Sequence, residues 1–240
     1  GYVYVLDKYE GLITVPAVTT INGNPLDNFL HREVTFNPEG ILDGANCVWF
    51  VGTLAYITCD RGLVIVSLDD PCHPEVKAVV DDTLLHHARA VAAQFRYCYV
   101  ADAEGIKVFD ITCPERPRAI SQLEIEDVHN IYLARTYAYL AAGKKGLVIL
   151  DIEEPANPRV DQVFDAGGCI DDLHDVKLAV TYASEYAYLA DGKNGMRIVE
   201  LTNPEMPTVH GYSPRPEPHL IATYKIPQHG HAVCISRALD

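Results

Sequence analysis

Five copies of one short phrase run through the chain, and they constrain its architecture more than any other feature. Each copy reads apolar-Tyr-apolar, a polar turn, Gly, an unbroken apolar run and, in most, Pro-x-x-Pro. The second copy carries Ala55-Tyr56-Ile57, then Gly62-Leu63-Val64-Ile65-Val66, then Pro71 and Pro74. The third has Tyr99, Gly105-Ile106-Lys107-Val108-Phe109, Pro114 and Pro117. The fourth has Tyr139, Gly146-Leu147-Val148-Ile149-Leu150, Pro155 and Pro158, and the fifth has Tyr188, Gly195-Met196-Arg197-Ile198-Val199, Pro204 and Pro207. The first, at Val3-Tyr4-Val5 and Gly11-Leu12-Ile13-Thr14-Val15, lacks the proline pair. Repeats of roughly 40–50 residues built from short strands are the blades of a propeller.

The phrase accounts for its own residues. Tyr and β-branched side chains suit a pleated, half-buried surface. The Gly permits the positive φ of a tight hairpin. An apolar run after it, such as Leu63-Val64-Ile65-Val66, fits a strand whose sheet is packed on both faces. Proline cannot donate to a ladder, so Pro-x-x-Pro marks where pairing stops and the chain crosses to an outer strand.

A second repeat precedes each Tyr. His87-x-Arg89-x-Val91, His129-x-Ile131-x-Leu133, His174-x-Val176-x-Leu178 and His231-x-Val233-x-Ile235 share one frame, with Asn46-x-Val48-x-Phe50 as a fifth member. These read as the innermost strands. The last has no Tyr hairpin after it, and the first hairpin has no inner strand before it. Joining the segment from Ile235 to Asp240 onto Gly1-Tyr2-Val3-Tyr4 restores a blade of normal spacing and leaves no open sheet edge. The expectation is an all-β, five-bladed β-propeller whose two termini complete one blade. Its blades span about 229–240 plus 1–44, then 45–84, 85–126, 127–172 and 173–228 of one domain. The chain begins inside a blade, which suggests a processed terminus or an excised domain.

The Gly-Leu-Val-Ile-Val-x-Leu-x-x-Pro and Gly-Leu-Val-Ile-Leu-Asp-Ile-x-x-Pro segments resemble the LVIVD repeat, named for its hydrophobic strand. That resemblance covers nearly all the chain. It implies a β-propeller of exported bacterial or archaeal proteins, sometimes near redox or surface assemblies. It implies little about activity, because function lives in sites grafted onto folds.

Composition narrows the partners. With 240 residues, 48% of them hydrophobic, the chain can bury a substantial single core. No segment approaches the roughly 18 consecutive apolar residues of a membrane span. A net charge of −14 argues against nucleic acid, whose phosphates need clustered Lys and Arg, and favours cationic partners or metal ions. Two stretches break the repeat, Thr19 to Gly44 and His210 to His229, where insertions decorate a blade.

Seven cysteines do not declare a compartment: there is no Cys-x-x-Cys, and Cys72-His73 lacks the upstream cysteine of a haem-attachment motif. Cys98 takes the place of Ala55, Ala138 and Ala187, as a small buried hydrophobe would. Cys72 and Cys113 fall in corresponding loops, where oxidation depends on a separation that spacing does not reveal.

The chemistry centres on the histidines. His87, His129, His174 and His231 each begin an inner strand, and Asn46 completes the circle. Inner strands of a propeller surround its axis, so the four imidazoles are expected to converge there and could hold Fe, Cu or Zn. Asp175, Asp127, Asp7, Asp102 and Asp191 are carboxylates placed to orient such rings. The same register equally serves hydrogen bonds to a neighbouring blade's backbone, or proton chemistry. His86 is expected to face the other side of its strand, and His210, His219 and His229 to sit in an exposed insertion.

No Gly-x-Ser-x-Gly elbow, P-loop or dinucleotide fingerprint is present. The acidic pairs Asp69-Asp70, Asp81-Asp82, Glu153-Glu154 and Asp171-Asp172 read as solvated turns. The leading expectation is therefore an exported, rigid propeller that binds a protein or small molecule on its axial face. The alternative is a metal-dependent, redox-type enzyme using the histidine ring.

Overall fold

The computed structural model describes residues 1–17, 24, 30–181, 184–206, 211–227 and 230–236. Its strands form antiparallel sheets, and no α-helix occurs among the described residues. One sheet comprises β1 (Tyr2–Asp7), β2 (Gly11–Pro16) and β3 (Val34–Phe36). The next has β4 (Cys47–Val51), β5 (Leu54–Cys59), β6 (Gly62–Ser67) and β7 (Glu75–Val80) in chain order. A third holds β8 (Ala90–Gln94), β9 (Tyr97–Ala101), β10 (Gly105–Asp110) and β11 (Arg118–Glu124). The fourth has β12 (Asn130–Ala134), β13 (Tyr137–Ala141), β14 (Leu147–Asp151) and β15 (Arg159–Phe164). The fifth has β16 (Asp175–Thr181), β17 (Ser184–Ala190), β18 (Met196–Thr202) and β19 (His219–Tyr224).

The repeated phrase is the central hairpin of each four-stranded sheet, and its first copy forms the β1–β2 hairpin of the first sheet. Burial explains its composition: every residue of β6 is buried, as the unbroken Gly-Leu-Val-Ile-Val run requires. The outer strands β7, β15 and β19 alternate or face solvent instead. Pro71 and Pro74 fall between β6 and β7, Pro114 and Pro117 between β10 and β11, and Pro155 and Pro158 between β14 and β15. Pro204 follows β18, and Pro207 lies outside the described residues.

The chain divides into two compact units, residues 1–103 with 109–120, and residues 104–108 with 121–240. In the first, Tyr56, Leu63, Ile65, Val91, Cys98, Val100 and Phe109 share one core, while Leu12, Leu42, Ile57, Val64 and Val66 form another. In the second, Tyr139, Leu147, Ile149, Val176, Leu189, Val199 and Leu201 pack together. Each such aliphatic side chain contributes roughly 1.5–3 kcal/mol on burial. Cys98 is fully buried and its thiol is pushed upward by desolvation, so it does act as a small hydrophobe. None of the seven cysteines, Cys72 and Cys113 included, is in a disulfide.

A feature absent from the sequence pattern recurs between third and outer strands. The register shifts between Ile65 and Val66, between Ile149 and Leu150, and between Ile198 and Val199. These are the same place in three copies, and each shift gives the outer strand one extra residue: Lys77, Asp161 or Ile221. Such bulges bend the strand and increase its twist.

Among the described residues the first sheet has three strands, and β1 stands at its inner edge where the other sheets carry one strand more. Val3 and Val5 are accordingly 46% and 45% exposed, whereas Ala55 and Ile57 at the matching places of β5 are 0%. Residues 231–236, expected to provide the missing strand, carry no strand assignment. Instead Ala232 and Gly192 exchange N–H···O bonds of 2.9 and 3.0 Å, and the Ile235 N–H donates to Asp175 at 2.8 Å. The rest of that expected strand, residues 229 and 237–240, lies outside the described residues.

Candidate functional site

Strand register decides which residues begin the inner strands at one level. The His129 N–H donates to the Ala141 carbonyl and the His174 N–H to the Ala190 carbonyl, each at 2.8 Å. Each bond extends its inner strand by one residue, so both imidazoles leave equivalent positions. Asn46 holds the same position, its N–H bonded to the Thr58 carbonyl at 3.0 Å. In the third sheet the equivalent residue is Arg89, whose N–H donates to Ala101 at 2.8 Å.

His87 therefore stands two residues before the shared place, exposed and with a positive φ of 55°. The common frame expected for His87, His129 and His174 holds for the last two alone. Asn46 has the right position, but its amide is committed. Its Nδ2 donates to the Ala88 carbonyl at 2.9 Å, and its Oδ1 accepts from Thr58 Oγ1 at 2.6 Å. That is the backbone-bonding role which the sequence left open beside metal ligation.

His231 arrives by another route. The Gly192–Ala232 bridge has the same form as the Gly143–Leu173 bridge, which aligns Ala232 with Leu173 and hence His231 with Asp172. Despite that offset its ring meets the cluster. His231 Nε2 is 3.3 Å from His174 Nε2, and the His174 ring centroid is 4.8 Å from that of His129 and 5.1 Å from that of His231. Three of the four expected histidines thus form a row within the second unit.

Each of the two register-matched histidines carries its own carboxylate two residues upstream. Asp127 Oδ1 lies 3.1 Å from His129 Nε2, and Asp172 Oδ1 lies 3.1 Å from His174 Nε2. The loops leave room for both acids: a Cβ on Gly143 would stand 2.1 Å from the Asp127 carboxylate, and one on Gly192 2.1 Å from that of Asp172. Asp172 Oδ2 also accepts the Lys193 N–H at 3.0 Å and lies 3.6 Å from His231 Nε2. Partial burial pushes the Asp172 carboxyl upward, but the Lys193 N–H and the His174 imidazole outweigh it and hold the pKa below its ordinary value.

The spacing Asp-x-His, present at 127–129 and again at 172–174, was the sequence signal for these acids, and the solvated-turn expectation for Asp172 is corrected by it. Asp175 does not orient the rings. It is 1% exposed and accepts from Asn130 Nδ2, Lys177 Nζ and the N–H groups of Val176 and Ile235. Asp191 acts one step removed: its Oδ1 accepts the Asp172 N–H at 3.0 Å while Arg197 Nε donates to its Oδ2 at 3.0 Å. Asp102 accepts the His86 N–H from the loop before β8, and Asp7 accepts the local N–H groups of Tyr9 and Glu10. His219 lies exposed on β19, and His210 and His229 are outside the described residues.

Beside the cluster lies an open depression of ≈ 550 Å³ lined by Cys169, Asp171, Lys193, Asn194, Arg197 and Lys225. Arg197 is held there by Asp191, Thr223 Oγ1 and the Cys169 carbonyl.

The family model of the LVIVD repeat matches residues 44–82, 86–121, 127–165 and 180–212, more than half of the chain. The chain belongs to the LVIVD-repeat family. A comparison with curated proteins returns no match. Among solved structures, this LVIVD-repeat chain is similar to a functionally unknown protein from Desulfotomaculum acetoxidans DSM 771, with 14% identity and a TM-score of 0.61 over 86% of this chain and 63% of that one. It is also similar to the β-propeller domain of Cps50 (Swd1) from Myceliophteria thermophila, with 12% identity and a TM-score of 0.58 over 95% of this chain and 71% of that one. The chain therefore spans less than two thirds of the first of these relatives. At such identities the likeness speaks to fold, and the fold is a five-bladed β-propeller.

Proposed function

We propose that the protein is a rigid, exported propeller module that binds its ligand at the loops leading into β12 and β16 and at the segment around His231. One observation supports this reading above the rest: two repeats present the same Asp-x-His unit, and a third imidazole from a distant part of the sequence joins them. Packed sheets hold the loops, which favours binding because little ordering remains to be done on association. The adjoining depression is of the size that small ligands fill. Export is carried by the family resemblance; seven cysteines outside any disulfide lend it no support.

The imidazole resonances supply the test. A library of peptides and small molecules, screened by thermal shift, should yield ligands that move the signals of His129, His174 and His231. Ligands that stabilise the protein while leaving all three signals unmoved would refute the assignment of the face. The metal-dependent enzyme remains the second reading, favoured by the donor set of Asp172, His174 and His231. Metal-dependent turnover of a ligand bound at this face would favour it over simple binding.

A further inference from the structure

From the same cluster, and resting on that reading of the face, we infer that Asp172, His174 and His231 form a binding site for a divalent transition-metal ion. One donor atom from each lies within 4.8 Å of the other two. For bonds of about 2.0–2.1 Å at tetrahedral angles, neighbouring donor atoms stand roughly 3.3–3.4 Å apart. The His174–His231 Nε2 separation of 3.3 Å meets that value, and Asp172 Oδ1, 3.1 Å from His174 Nε2, stands close to it.

Hydrogen bonding alone serves these atoms poorly. The Nε2 of His174 faces both the Asp172 carboxylate and the Nε2 of His231, and a neutral ring offers one proton there at most. An ion placed among the three would accept a lone pair from each at once.

The surroundings are built as metal sites are. The Lys193 N–H holds the second oxygen of Asp172, and Asp191, itself held by Arg197, fixes the Asp172 backbone. Two imidazoles and one carboxylate suit zinc, ferrous iron, cobalt, nickel or copper ahead of calcium or magnesium, which prefer oxygen donors. Three protein ligands also leave a coordination position for water or a bound anion. His129 and Asp127 stand next in the row, beside the metal ligands.

Tag-free protein, stripped with chelator, would be titrated with Zn(II) by calorimetry and with Co(II) by visible absorption. The expected result is one high-affinity ion per chain and cobalt bands of a low-coordinate nitrogen–oxygen site. His174→Gln, Asp172→Asn and His231→Gln should each weaken binding by roughly a hundredfold or more, since losing even a partner that merely orients a ligand costs about 10–100-fold. His87→Gln should leave it unchanged. His231 is exposed, so its variant probes the site with the fold kept, as circular dichroism would verify. Absence of a stoichiometric ion, or three variants that bind as tightly as the parent, overturns the metal site. If no ion binds but library ligands still shift the three imidazoles, the metal inference falls and the binding face stands. If the ion binds but no ligand reaches the imidazoles, the reverse holds.

Discussion

Replacing Gly62 and Gly52 by alanine separates two reasons for glycine in a hairpin. Both have positive φ, 116° at Gly62 and 59° at Gly52. A Cβ on Gly52 would meet nothing within 4 Å, whereas one on Gly62 would lie 2.2 Å from the Val80 carbonyl oxygen of the outer strand. Positive φ costs an L-residue roughly 1–2 kcal/mol. Alanine recovers about 0.4–1 kcal/mol by restricting the unfolded chain. Gly52→Ala should therefore destabilise by at most about 1.6 kcal/mol. Gly62→Ala adds a backbone collision, and forced overpacking costs about 1–3 kcal/mol, for a total of roughly 1–5 kcal/mol. At this chain length 1 kcal/mol moves the melting temperature by about 2–4 °C. Thermal and urea unfolding followed by circular dichroism should show Gly62→Ala melting roughly 2–12 °C below Gly52→Ala, and Gly52→Ala within about 6 °C of the parent. Equal losses would show that φ alone selects these glycines and that the outer strand does not press on the hairpin.

Other substitutions test the packing more locally. Asp175→Ala strips an acceptor from Asn130, Lys177 and the Ile235 N–H inside the protein, and should cost about 3–5 kcal/mol in urea unfolding. Phe95 is 83% exposed at a φ of 55°, so Phe95→Gly should hold or raise the melting temperature rather than lower it. Burial raises the Glu185 carboxyl above its ordinary 4.5, against the smaller opposing pull of the Arg135 guanidinium. The native state then holds this proton more tightly than the unfolded chain, so its contribution is present below that value and is lost as pH rises through the folded pKa. The stability of Glu185→Gln minus that of the parent should accordingly grow as pH rises above the ordinary 4.5; a flat difference would refute the assignment. Mass spectrometry after brief iodoacetamide treatment should find the exposed Cys169 alkylated and Cys98 intact, because Cys98 is enclosed and its thiol is pushed upward by burial.

The amino-acid sequence by itself determined the sheets, their order and their hairpins. A glycine that ends one apolar strand and opens the next, a tyrosine paired with the isoleucine of the following strand and a proline pair beyond are local instructions. The strands from β5 and β6 to β17 and β18 follow them residue by residue. Asp-x-His was written there too, at 127–129 and 172–174. What tertiary structure alone decided is which histidines meet. Side chains alternate along a strand with period two, so a frame displaced by two residues keeps the same face and the same apolar pattern. His87-x-Arg89-x-Val91 therefore looks like His129-x-Ile131-x-Leu133, although cross-strand pairing sets Arg89, and not His87, level with His129. The outer-strand bulges and the seat of His231 are hidden for a related reason. Both are set by hydrogen bonds to a strand or turn distant in sequence, which no local spacing encodes.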